Sequence, residues 1–213
     1  VVSNPPLLSD YLLGLRRLLH DATGNYWSDS ELIDYINTGR SRVVADTGCN
    51  RVLQTISTAT GQETYPYINL PQGVNTFDVL NVTLIWGSTR VPLTYMSFTE
   101  FNLKMRAWQS FQSRPAAFTI YGQNTIYLGP IPDQIYVCEI DSVVSPIPLT
   151  STAQQDIIQF PYSDPVIYYA ASLAKFKEQS DSEAERFANM YTAKVGAAIR
   201  SSFTRRITNP YGR

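Results

Sequence analysis

The spacing of apolar residues changes twice along this chain, and that change restricts the fold more than any single motif. Near the start, Leu8, Leu12, Leu15 and Leu19 recur at helical intervals. Near the end, Phe187, Tyr191, Val195 and Ile199 fall four residues apart. Between residues 52 and 150 the helical period disappears, β-branched and aromatic residues become frequent, and Pro and Gly recur at short intervals. The order is helix pair, β insert, helix pair and basic end. It predicts an α+β fold: an antiparallel α-helical bundle of N- and C-terminal helix pairs, an inserted small β-sandwich or barrel, and an extended C-terminal arm. The expected boundaries are 1–50 with 156–203 for the bundle, 51–155 for the β-rich insert, and 204–213 for the arm.

Local signals refine each part. Residues 7–21 read as a helix with Arg16 and Arg17 turned away from the core, ended by Thr23-Gly24-Asn25. Ser28-Asp29-Ser30-Glu31 has capping-box spacing, with the Ser28 hydroxyl accepting from the Glu31 amide and the Glu31 carboxylate reaching back. Leu32, Tyr35, Ile36 and Val43 supply one face of the second helix, which stops near Thr47-Gly48. Strands are expected near 52–58, 65–69, 77–86, 90–92, 118–121, 125–128 and 135–144. A tight hairpin over Gly122-Gln123-Asn124 joins two of them. Residues 97–111 read as an interposed helix with Phe101, Met105 and Trp108 on one side. Pro146-Ile147-Pro148 stiffens the exit from the insert, and 150–155 reads as a polar linker. Asp164 is placed to cap a third long helix, with Pro165 at its first position and a small-residue face of Val166, Ile167, Ala170, Ala171, Leu173 and Ala174. A second Ser-Asp-Ser-Glu at 180–183 opens the last helix, as local capping and not as an internal repeat.

Charge excludes several functions. Charged residues make up 16% of the chain, against about 25% in ordinary soluble domains. Two readings fit: surface that faces neighbouring subunits, or a β-rich domain kept soluble by Thr, Ser, Asn and Gln. With a net charge of −1 the whole protein has no electrostatic claim on nucleic acid or anionic lipid. Arginine outnumbers lysine 13 to 4, which suits interfacial carboxylate pairing. Cys49 and Cys138 have no CxxC-type spacing and read as buried free thiols in a reducing compartment. The opening residues have neither the basic leader nor the cleavage site of a secretory signal, and no apolar run approaches the roughly 20 residues of a membrane span. The expectation is a soluble product made or assembled inside a cell.

Catalytic candidates are sparse. His20, the sole histidine, sits in the last turn of the first expected helix, where an imidazole complements the helix dipole. No GxSxG, HExxH, Walker-type loop or Cys/His set occurs, so neither catalytic residues, metal ligands nor cofactor are expected. Glu139 and Asp141 alternate on one strand and share a face, where their repulsion needs a partner or solvent. They would carry a glycosidase alternative, without a supporting signature. Tyr65, Tyr67, Trp86, Tyr95, Phe98, Phe101 and Trp108 would carry the other alternative, a glycan-binding module, unless they fill a core. The last fourteen residues hold Arg200, Arg205, Arg206 and Arg213 and no acidic group. They have little to bury by themselves and read best as an extended arm, anchored on a partner by the aromatics Phe203 and Tyr211.

The run Leu15-Arg16-Arg17-Leu18-Leu19-His20-Asp21, then 26–37 (YWSDSELIDYIN) and Ala45-Asp46-Thr47-Gly48, resembles the opening of tailed-phage head–tail connector (adaptor) proteins. The hairpin 121–128 followed by Gly129-Pro130-Ile131-Pro132-Asp133, and the closing helix pair with its basic extension, resemble podovirus-like members. The resemblance implies a non-enzymatic virion protein at the head–tail interface, assembled in the host bacterial cytoplasm as a ring, commonly of twelve subunits. It implies a portal protein met by the arm Arg200, Phe203, Arg205, Arg206, Ile207, Pro210, Tyr211 and Arg213, and a tail or nozzle protein met by residues 52–150. It also implies a channel through which genomic DNA passes without specific binding, and no membrane. The numbered chain opens on Val1 without an initiating Met, which leaves trimming of its N-terminus open.

Overall fold

The computed structural model describes residues 5–106, 111–122 and 124–203, with backbone alone at Val74, Ser202 and Phe203. In chain order the elements are α1 (Leu8–Leu18), α2 (Asp29–Thr47), β1 (Arg51–Ser57), β2 (Thr64–Pro66), β3 (Thr76–Trp86), β4 (Thr89–Pro92) and β5 (Thr94–Tyr95). They continue with α3 (Phe98–Phe101), β6 (Ala117–Tyr121), β7 (Thr125–Gly129), β8 (Val137–Val144), α4 (Val166–Lys177) and α5 (Asp181–Phe203). The fold is α+β. The chain divides into two compact units, Val1–Asn50 with Pro146–Arg213, and Arg51–Ser145.

In the helical unit, α4 packs against α1, α2 and α5. Leu8 and Leu15 of α1, Leu32, Ile36 and Val43 of α2, Ala170 and Ala174 of α4, and Tyr191 and Val195 of α5 fill one apolar cluster. Burying each leucine stabilises the unit by roughly 1.5–3 kcal/mol. The alanines of α4 let its neighbours approach closely. At Gly39 of α2 an added Cβ would lie 2.9 Å from the Val166 carbonyl oxygen. Gly48 ends α2 in the left-handed region at φ 63°, as a residue without Cβ can.

Several local readings are corrected here. Arg16 is not turned away: its guanidinium folds over the α1–α2 turn onto Asp21 and onto the Trp27 carbonyl at 3.0 Å. Ser28 does cap α2, accepting from the Glu31 amide at 3.3 Å. The Glu31 carboxylate instead accepts from the Tyr35 hydroxyl at 2.8 Å and from Lys177, because a cation on α4 attracts it more than a neutral amide does. Asp164 makes no cap on α4; it pairs with Lys194 at 2.8 Å. The segment read as a polar linker is stitched into the helical unit. The Gln154 and Thr152 carbonyls accept from the Leu8 and Ser9 amides at 3.0 and 3.1 Å, and just before the segment the Asn37 side chain donates to the Leu149 carbonyl and accepts from its amide.

The β unit contains two four-stranded sheets, ordered β1-β8-β3-β4 and β2-β7-β6-β5. Neighbours are antiparallel except β5 and β6, which run parallel. Each sheet has two edge strands, so no closed barrel forms among the described residues. Val82, Leu84 and Ile140 of the first sheet share one buried cluster with Tyr65, Phe118, Ile126 and Leu128 of the second.

The strand expected at 65–69 stops at Pro66, after which Tyr67–Asn69 form a 3-10 turn. The short β5 was not anticipated. Within the segment expected as a helix, 97–111, α3 runs for one turn, a π turn follows over Asn102–Arg106, and Phe111 is outside any helix, while 107–110 lie outside the described residues. Phe101 is fully buried, at a place where a Cβ on Gly129 would come within 2.7 Å of its ring. Trp108 lies outside the described residues.

Candidate functional site

The groups with catalytic potential are dispersed and neutralised. His20 is exposed and lies beyond α1 at φ 57°, not in its last turn, so its expected pairing with the helix dipole gives way to a turn conformation. Glu139 and Asp141 share the outer face of β8 as expected, and each has a cationic partner. Arg51 on β1 pairs with Asp141, and Arg90 on β4 reaches over β3 to Glu139 at 3.3 Å. This arrangement balances charge on a sheet surface and leaves neither carboxylate poised as a nucleophile. Among the described residues no His, Cys, Asp and Glu side chains cluster as metal ligands would. Cys138 is fully buried, and burial pushes its thiol up to about 11; Cys49 is raised by the same cause.

The aromatic set expected of a glycan platform does not share a surface. Tyr65, Tyr67 and Phe101 are core residues. Trp86 stacks under Arg114 at 4.3 Å, Tyr95 packs edge-on against Phe118, and Phe98 lies against Tyr121 at 4.3 Å. Trp108 is outside the described residues.

What the structure offers instead is contact surface. In the β unit Leu53, Leu103, Tyr121 and Ile135 are exposed; in the helical unit Tyr26, Ile147, Phe160 and Phe176 are. A groove of about 530 Å³ opens along α5, lined by Phe160, Pro161, Asp164, Lys194 and Ala197. Of the arm residues named from sequence, Arg200 lies exposed in the last turns of α5, and Phe203 is its final residue. Arg205, Arg206, Ile207, Pro210, Tyr211 and Arg213 lie outside the described residues.

Sequence reasoning missed the buried group that ties the helical unit together. Arg40 of α2 is buried and directs its fork at Asp156, Nε to Oδ2 at 2.9 Å and Nη2 to Oδ1 at 2.6 Å. Its Nη1 donates to Asn37 Oδ1 at 3.0 Å and to the Ile147 carbonyl at 2.9 Å. Asp156 also accepts from the Tyr11 hydroxyl at 2.8 Å and the Ile158 amide at 3.1 Å. Burial, then the adjacent carboxylate, raises the Tyr11 phenol far above its usual range, so it remains a donor. One signal was available. Arg40 lies four residues beyond Ile36 on the buried stripe of α2, where a cation requires a partner.

An α+β chain of two compact units, each exposing large apolar side chains, offers surface for contact with other macromolecules. The family model of the SU10 adaptor protein matches residues 8–211, and the chain belongs to that family. Membership implies a phage structural adaptor, a virion component without enzymatic activity, that associates with other phage proteins. No curated protein matches the chain. No helix among the described residues is long and apolar enough to cross a membrane.

Proposed function

We propose that this adaptor acts at the head–tail junction as a homo-oligomeric ring, twelve-membered by family resemblance, through whose channel genomic DNA passes without specific binding. The observation that carries this reading is the adaptor family match along nearly the whole chain. In this reading the two helix pairs form one bundle-like base, and the two sheets form a small sandwich that meets a tail or nozzle protein. The arm Arg200, Phe203, Arg205, Arg206, Ile207, Pro210, Tyr211 and Arg213 docks on the portal. Its arginines meet carboxylates in forked geometry, and its aromatics and Ile207 serve as apolar anchors. Ordering of such a segment on its partner couples docking to folding of the contact.

The test is truncation before Thr204 and co-sedimentation with the portal of the same phage. The shortened chain retains the circular dichroism and melting of the full one and no longer sediments with the portal. A shortened chain that docks as well as the full one overturns the assignment of the arm.

A further inference from the structure

A second groove, of about 330 Å³, lies where α4 and α5 flank the end of α1. Its floor is apolar, with Leu18, Phe187 and Met190, and Arg17 and Arg186 stand exposed at its rim. Among the described residues, which include all 18 Asp and Glu side chains of the chain, neither arginine has a carboxylate partner. The one acid in the groove, Glu183, is held by Lys175 at 3.1 Å. Nearby His20 adds a further donor.

The same helix carries the complement. At about 100° per residue, Arg186, Phe187 and Met190 occupy one flank of α5, and Asp181 and Glu185 the other. The buried stripe of Ala184, Tyr191 and Val195 runs between them. Asp181 and Glu185 are exposed and have no ion pair among the described residues, and Phe176, in the corner leading into α5, is exposed as well. Since both patches flank one helix on different sides, Asp181 and Glu185 do not face the groove of their own molecule. Another copy can.

We propose that the groove receives the acidic corner of a second copy, Asp181 and Glu185 meeting Arg17 and Arg186 while Phe176 enters the apolar floor. The contact is head-to-tail, joining two different patches, and the joined pair retains one free groove and one free corner to extend the assembly. Such a contact makes a ring when its rotation closes. The inference deepens the ring reading above and rests on it.

Two charge-reversed proteins test it by sedimentation velocity and native mass spectrometry at low ionic strength, where screening is weakest. Arg17→Glu with Arg186→Glu, and separately Asp181→Arg with Glu185→Arg, each weaken self-association by roughly 100-fold or more, because like charges then face each other. Mixed in equal amounts, the two associate again in alternating order, which also shows that both are folded. Parent-like association of either variant alone, or a mixture that stays dissociated while both variants keep the parent's circular dichroism, overturns the proposed contact and leaves the ring reading standing. A parent protein that stays monomeric at every concentration overturns both.

Discussion

Replacing Asp156 by Ala removes the acceptor around which the helical unit is tied. The Arg40 guanidinium, about 1% exposed, is left as a buried cation whose two shortest hydrogen bonds, 2.6 and 2.9 Å, are gone. The Tyr11 hydroxyl and the Ile158 amide lose their acceptor as well. Breaking a buried ion pair from one side costs about 3–5 kcal/mol, and orphaned donors move this case to the upper part of that range. Domains are stable by only about 5–15 kcal/mol, so the unit stays folded but with much of its margin lost. The double change Arg40→Met with Asp156→Leu removes both charges and is expected to cost less than either single change, since apolar replacement of a whole buried pair is close to neutral. Urea unfolding followed by helical circular dichroism, which the helical unit dominates, reads the difference. A loss below about 1 kcal/mol for Asp156→Ala, or a double variant as weak as the sum of the singles, would refute the claim that the pair depends on its mutual neutralisation.

Other outcomes follow from individual contacts. Burial raises the Asp21 carboxyl, but the amides of Trp27, Asn25 and Tyr26 and then the Arg16 guanidinium more than offset it, leaving its pKa below the usual 3.8. Its stabilisation is therefore complete above that value and is lost as pH falls through the lower folded pKa. Asp21→Asn lowers the melting temperature at neutral pH and flattens the melting curve against pH on the acid side. Gly39→Val forces a branched side chain against the Val166 carbonyl and destabilises the helical unit by about 1–3 kcal/mol in the same urea assay. A thiol reagent at pH 8 modifies Cys49 in the native protein and reaches Cys138 only after unfolding; peptide mapping distinguishes them.

The long elements were legible because their signals are local. The spacing of Leu8 to Leu19 and of Phe187 to Ile199 depends on neighbouring turns alone, and both stripes are buried or half-buried in the helical unit. The alternation along β1 and β8 follows from the pleat, which is why Glu139 and Asp141 could be assigned to one face. What the sequence withheld depends on groups brought together from far apart. Nothing near Glu139 announces Arg90 two strands away, and Arg40 and Asp156 are separated by 116 residues. Capping was half legible for the same reason: Ser28 acts within its own turn, whereas Glu31 is drawn to Lys177 on another helix. The arm is the case where composition alone was read, since its residues beyond Phe203 lie outside the described ones.

The central claim is that this family member assembles into a ring and meets the portal through the basic segment after α5. Electron microscopy of the purified protein mixed with its portal tests that most directly. The account predicts rings coaxial with the portal, with density for residues 200–213 lying against portal subunits. Single copies scattered in the field, or rings joined to the portal by the β unit instead, would contradict it.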